Sequence, residues 1–577
     1  MTVRSFAAPA LGFAFIFTPI QADDRSADTS GPASRASGRV DTLPNGEHSP
    51  HKPFFEGLGS YARPVTTRST EAQRFFNQGL AFLQAFNHDE AIRSFQEAAR
   101  LDPNCAMAHW GVAMACGPHI NNPAVPEARA GLAWQELELA RQHSLQSTPA
   151  EQALIEALGH RYALPQPADR HPLDVAYADA MRKVWQNNPN DADVGAFFAE
   201  ALMDLRPWDL WGPDRTPRPG TEEIVAILET VLKQSPQHPL ANHLYVHAVE
   251  ASAHPERAAQ AADRLRNLQP GLGHNTHMPS HIDVLLGRWH EAIEANEKAI
   301  RADLAYREAT SQKPDFFRLY MAHNRHMLAY AALMTGQSTL ALTHIRAMVA
   351  EMPASWVKQN ASFADAFVAM PYEVLIRFGR WQEILEQTPP AEGLPFTTAL
   401  RLAARATARA ALGNAEAARQ EQAAFLQARD AVPKEWVVGI NPAAIVLELV
   451  THMVEGEILY REGKVDPGLA ELRLAVGMED LLRYDEPPGW ILPVRHALGA
   501  TLMQENRFAE PETVYKEDLV RRPRNGWSLF GLAESLNRQN RQPEAAPVLE
   551  QFGQVWRKAD VRIRSSCFCQ PGLAEAR

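Results

Sequence analysis

The feature that most limits what this chain can fold into is a pattern that returns every 34 residues. Segments starting at Leu492 and Gly526 lie 34 apart, and so do those starting at Pro239 and Gly273. Within them, small and large apolar residues fall at helical spacing. That spacing dominates from about Thr70 almost to Asp560, with no run that reads as a strand ladder. At 577 residues the chain is too long for one globular core. A repeat array escapes that limit because each unit needs only its neighbours. The expected fold class is therefore all-α.

The segment Ala72–Cys105 shows the pattern most fully. With Ala72 as position 1, Phe75, Gln78, Gly79, Phe82, Ala91, Phe95, Ala98 and Pro103 fall at positions 4, 7, 8, 11, 20, 24, 27 and 32. Small residues at 8 and 20 let two helices approach, the large ones fill the space between them, and the late proline ends the second helix. Asn87-His88-Asp89 makes the turn, with Asp89 expected as N-cap. On these residues the segment resembles the tetratricopeptide repeat. Further copies begin at Pro239, Gly273, Ala322, Leu492 and Gly526, with weaker ones near Thr398 and Leu449. The copy at Ala322 departs at position 11, where Ala332 is small.

The resemblance implies a right-handed α-solenoid, a superhelix of stacked antiparallel helix pairs. Two insertions interrupt it, and both are expected as loops. About 13 residues, carrying Arg206-Pro207-Trp208-Asp209-Leu210-Trp211, fall inside the unit beginning at Ala192, and about 15 lie between Arg307 and Ala322. Over nearly its whole ordered length the chain resembles large exported bacterial tetratricopeptide proteins, a likeness that implies architecture and no substrate.

The first residues hold one Arg4 and an apolar run from Phe6 to Ile20, with Ala22 before two aspartates. Residues 1–22 read as a secretory signal peptide, which predicts an exported chain, periplasmic or extracellular. No later segment is a credible transmembrane span. Residues 23–65 are rich in Ser, Pro, Gly and Asp and read as a disordered linker. An N-terminal array over 66–360, a C-terminal array over 361–560 and a tail over 561–577 with Cys-x-Cys complete the expected division. Lys plus Arg is 57 against Asp plus Glu 68, a net charge of −11 with no sustained basic run, so nucleic acid is not an expected partner. Four cysteines, Cys105, Cys116, Cys567 and Cys569, allow three pairings. A bridge from Cys105 to the C-terminal pair would close the array end to end; alternatively Cys105 and Cys116 are small buried residues.

Eight of the 21 histidines crowd into residues 238–290: His238, His243, His247, His254, His274, His277, His281 and His290. His323 and His326 follow. His243, His247 and Glu250 stand at i, i+4 and i+7, one stripe of a helix. His277 and His281 repeat the pair 34 residues later. On the repeat numbering His243, His277 and His326 take position 5, His247 and His281 position 9, Glu250 position 12 and His323 position 2. The resemblance implies that positions 2, 5, 9 and 12 face the concave groove. Glu200 takes position 9 of the preceding unit, with the Trp208 and Trp211 insertion expected beside it. Pro279 is comfortable only in a first helical turn, which makes His277 a candidate cap residue.

Imidazoles with a carboxylate suit a transition metal such as Zn, Cu or Fe. The expected ligands are His243, His247, Glu250, His277, His281, His323 and His326, and Glu200, Trp208, Trp211 and Tyr245 are expected to line the groove. Three functions stay open on this reading. One is a scaffold that holds a peptide, a protein or a small ligand. Another is a metalloenzyme, hydrolase or oxidase, with Glu250 or Glu200 as base and Tyr245 or Trp208 as a wall. The third is metal capture or delivery, where Met278 beside His277 would favour copper. No phosphate-binding loop or nucleophile elbow is present, so no nucleotide cofactor is expected. Trp527, Phe530 and Glu534 would offer an aromatic surface to a peptide or pack a terminal cap. The aromatic residues of Tyr484-Asp485-Glu486-Pro487-Pro488-Gly489-Trp490 read as packing.

Overall fold

The computed structural model describes residues 54–310 and 315–570, and the side chains of 315–317 are left aside. The expected signal peptide and most of the expected linker lie outside these residues. The described chain is almost entirely helical, a repeat-like array of stacked helix pairs of the solenoid type. One short strand pair, Val437–Val438 with Asn441–Pro442, is the exception among the described residues. No helix among them is long and apolar enough to cross a membrane. The described residues form two compact units, one from 54–209 with 233–238, the other from 210–232 with 239–310 and 315–570. The boundary expected at residue 360 therefore falls inside the second unit.

The first unit shows how the repeat pattern becomes packing. Helices Thr70–Gln84 and His88–Leu101 form the first pair. Asn87, not the expected Asp89, is the N-cap of the second helix; its side chain accepts from the Glu90 N–H. The buried ring of Phe95 lies in a saddle made by two glycines. A Cβ on Gly79 would meet it at 2.7 Å and one on Gly111 at 2.5 Å, closer than carbon atoms approach. The saddle recurs in the second unit, where Tyr515 packs onto Gly499 and Gly531. The small residue at position 8 thus makes room for the large one at position 24 of the same pair.

The described end of the expected linker is packed rather than loose. Phe54 stacks on Phe75, and the Phe55 N–H donates to Gln78 Oε1 at 3.0 Å. The Arg63 guanidinium donates to Asp191 at 2.8 Å and to Asp193 at 2.9 Å. His238 Nε2 meets the other oxygen of Asp193 at 3.1 Å. Burial alone would raise the Asp193 carboxyl, but His238 and Arg63 outweigh it and hold it down at about 2.

In the second unit the array returns on itself. The Trp289 indole donates to the Pro523 carbonyl at 2.9 Å across 234 residues of sequence, and Trp527 donates to the Leu333 carbonyl at 2.8 Å. Trp527 is fully buried, with the Arg377 guanidinium 3.5 Å from its ring centre. It packs the interior and offers no aromatic surface to a peptide. Of the residues between Arg307 and Ala322, expected as a loop, those described are helical and belong to helices Trp289–Thr310 and Asp315–Met334. Cys567 and Cys569 are bonded to each other, while Cys105 and Cys116 are free and buried, so the end-to-end bridge is not made.

Two outcomes follow for stability. Phe95→Ala should destabilise the first unit by about 3–5 kcal/mol in chemical denaturation, because the glycine saddle cannot collapse onto alanine. Asp193 has its carboxyl depressed in the folded state, so its contribution is present above the unfolded value and is lost as pH falls through about 2. Arg63→Ala removes part of that depression. Acid titration followed by circular dichroism should then show unfolding beginning at higher pH than in the wild type.

Candidate metal centre

The histidine stripe sits on four helices of the second unit. Helix Pro239–Val249 carries His243 and His247, with Glu250 one residue past its end. Helices Gly273–His277 and Pro279–Leu285 carry His274, His277 and His281, and Met278 marks the break between them. Pro279 is the cause: it opens the second piece at a first-turn position and ends the first at His277. Helix Asp315–Met334 carries His323 and His326. Gly273 permits the close approach of the next helix, since a Cβ there would strike the carboxylate of buried Asp303.

The stripe does not face open solvent. His243, His247, Glu250, His274, His277 and His281 are buried, and His323 alone among the clustered residues is half-buried. The segment that follows helix Val465–Leu481 lies against them. Asp485 accepts from the Ile440 N–H at 2.9 Å, and Glu373 accepts from the Ile491 N–H at 3.0 Å. Between these anchors, Glu486 reaches His281 and contacts its Nδ1.

Three groups of ligand atoms result, each with its members within 4.8 Å of one another. One is His243, His247 and His274; another is His277, His281 and His323; the third is His247, Glu250, His281 and Glu486. Hydrogen bonds fix which nitrogen His247, His277 and His281 offer. Glu250 accepts from His247 Nδ1 through Oε1 and from His281 Nδ1 through Oε2, both at 2.8 Å. His277 Nδ1 donates to Asn296 Oδ1 at 2.6 Å. The Asn296 amide is oriented by its own donation to the Ala292 carbonyl at 2.8 Å, so its oxygen faces the imidazole. With both Nδ1 atoms donating, the Nε2 atoms of His277 and His281 carry lone pairs in the neutral rings, yet they face each other at 2.6 Å. Two lone pairs repel at that distance. At that distance a proton must lie between them, and a metal ion would hold both nitrogens only with the rings moved slightly apart.

Charges follow the same geometry. Burial first, and then the neighbouring imidazoles of His323 and His281, push His277 well below the usual histidine range. Burial and nearby histidines do the same to His274 and His323. Burial works against a charge on His281 as well, but Glu486 and Glu250 outweigh it and push it up to about 10. Without metal, His281 therefore keeps a proton that it can donate from Nε2 to His277. Burial opposes ionisation of Glu250, yet His247 and His281 hold it well below the usual carboxylate range. Burial and the charge on Glu250 push Glu486 well above that range.

The remaining expected residues stand apart from these groups. His326 is buried, its ring centre 6.5 Å from that of Phe367, and it joins no ligand set. Tyr245 donates its hydroxyl to Glu229 at 2.6 Å. The Trp211 indole donates to the Ala248 carbonyl at 2.8 Å, satisfying an acceptor that a helix end leaves open. Trp208 has left-handed backbone at φ 60° in the inserted loop. Glu200 belongs to the first unit, where burial pushes its carboxyl up to about 7 against the pull of Arg161. Two members of the site escaped sequence reasoning. His274 could have been found, because it occupies position 2 of its repeat just as His323 does. Glu486 had no register to reveal it.

A tetratricopeptide repeat family model matches residues 72–105, the segment whose glycine saddle is described above. No curated protein matches the chain. Similar solved structures include a human IFIT1 dimer with m7Gppp-AAAA, 12% identical over 86% of this chain and 92% of that one, with a TM-score of 0.30. Yeast Tom70 is 10% identical over 84% and 93%, with a TM-score of 0.29. The Cut9–Hcn1 hetero-tetramer of the APC/C is 10% identical over 85% and 75%, with a TM-score of 0.27. The protein is thus a helical-repeat protein with a buried histidine and glutamate cluster in its second unit.

Proposed function

We propose that this protein is an exported metal-binding helical-repeat protein that holds a transition-metal ion on His277, His281 and His323. The observation that carries the reading is the pair of Nε2 atoms facing each other at 2.6 Å, with both Nδ1 atoms already committed as donors. Two nitrogen ligands of one tetrahedral ion stand about 3.3 Å apart, given bonds of roughly 2.0–2.1 Å, so binding would displace the proton and ease the two rings apart slightly. Glu250 acts as a positioning residue: a carboxylate on Nδ1 sets the tautomer and aims Nε2 at the ion. Both of its oxygens are engaged with imidazoles, which argues against the role of general base. Half-buried His323 gives the ion its way in. Holding or delivering metal is therefore favoured over turnover, and the export reading rests on the Phe6–Ile20 run.

Elemental analysis of the full chain purified without a histidine tag tests the proposal. Zinc, copper or iron should be found in stoichiometric amount, and the ion held on these residues should be lost in His277→Gln, His281→Gln protein that keeps its helical circular dichroism. No metal in the wild type after loading with any of the three would overturn it. Glu250→Gln offers one carbonyl oxygen where two imidazoles need an acceptor, so metal affinity by competition with a chelator should fall about 10–100-fold.

A further inference from the structure

The repeat register carries the site one step further. On the numbering that starts each repeat at Pro239, Gly273 and Ala322, His277 and His281 stand at positions 5 and 9 of one unit, and His323 stands at position 2 of the next. The same three positions one unit earlier are His243 and His247, at 5 and 9, and His274, at position 2 of the following unit. The two triads are copies of one arrangement, generated by stacking one repeat on the next. In both, the ligand atoms gather within 4.8 Å of one another. The Nε2 atoms of His243 and His274 face each other at 3.0 Å, and the register counterpart of that pair, His277 with His323, has its ring centres 4.6 Å apart against 4.8 Å for His243 and His274.

The ladder has ends that the same register explains. Position 9 of the repeat starting at Ala322 is Tyr330, so His326 at position 5 lacks the position-9 imidazole that a third triad needs. That accounts for His326 standing outside every ligand set. Before His243, position 2 of its own repeat is Leu240, which closes the ladder on that side. Two triads are therefore what this sequence can build.

Glu250 joins them. It accepts a hydrogen bond from Nδ1 of His247, in the earlier triad, on Oε1 and from Nδ1 of His281, in the later triad, on Oε2, both at 2.8 Å. The ring centres of His274 and His277 are 6.1 Å apart, and those of His247 and His281 5.4 Å apart, so the triads abut. We infer that the centre takes two divalent transition-metal ions, one on His243, His247 and His274 and one on His277, His281 and His323, with Glu250 positioning one histidine of each. This rests on the metal-binding reading above and adds the second ion and its ligands.

Zinc stoichiometry separates the two. The metal-free full chain is loaded with excess zinc, freed of unbound ion by gel filtration and measured by elemental analysis. Two equivalents per chain are expected. His274→Gln and His323→Gln should each retain one equivalent, because each removes a ligand from a different triad. One equivalent in the wild type would overturn the second ion and leave the single site standing, whereas none would overturn both. If either variant misfolds, the wild-type stoichiometry still decides. Loading with cobalt(II) adds an independent readout: its visible absorption should rise through two equivalents and halve in each variant, and saturation at one equivalent counts against the pair.

Discussion

An imidazole taken out of water must give its N–H to an acceptor and must have something electrophilic at its bare nitrogen, and the interior of the second unit is organised around that requirement. Glu250 accepts from two rings, Asn296 from a third, and Glu486 adds a second carboxyl against His281. These partners settle the donor side and leave nitrogens turned toward each other. A buried cluster arranged in this way is poised to hold cations. The hydrogen bonds that fix its rings in advance also reduce the rearrangement that binding requires.

Such a cluster needs walls, and the repeat packing supplies them. Phe95 and Tyr515 each fill a saddle between glycines, which sets the separation within a helix pair. In the second unit, Trp289 and Trp527 tie helices far apart in sequence. The inner face of that unit is consequently filled by its own chain, and the segment around Glu486 occupies space that an open array would leave to solvent. Water is kept from most of the stripe, with half-buried His323 at its accessible edge.

Much of this was legible beforehand, and the reason is register. A 34-residue period places equivalent residues at equivalent points of successive units, so His243 with His277 and His247 with His281 could be aligned without coordinates. His274 obeys the same rule and was missed only because position 2 was not followed into its unit. Glu200 was expected to line the groove from the repeat before His243, and it belongs to the first compact unit whereas His243 belongs to the second. The inserted residues after Arg307 were expected as a loop, but those described continue helices Trp289–Thr310 and Asp315–Met334.

Read alone, the sequence determines the helix pairs, their spacing and which histidines share a face, because all of these follow from local periodicity. It does not determine that the face is closed or that Glu486 completes it. His281 and Glu486 meet only because the unit folds back and anchors Asp485 on the turn between the two short strands and Ile491 on helix Ala361–Arg377. The protonation of the cluster was likewise decided by tertiary structure. A ring's charge depends on burial and on which carboxyls stand beside it, and no repeat period encodes either.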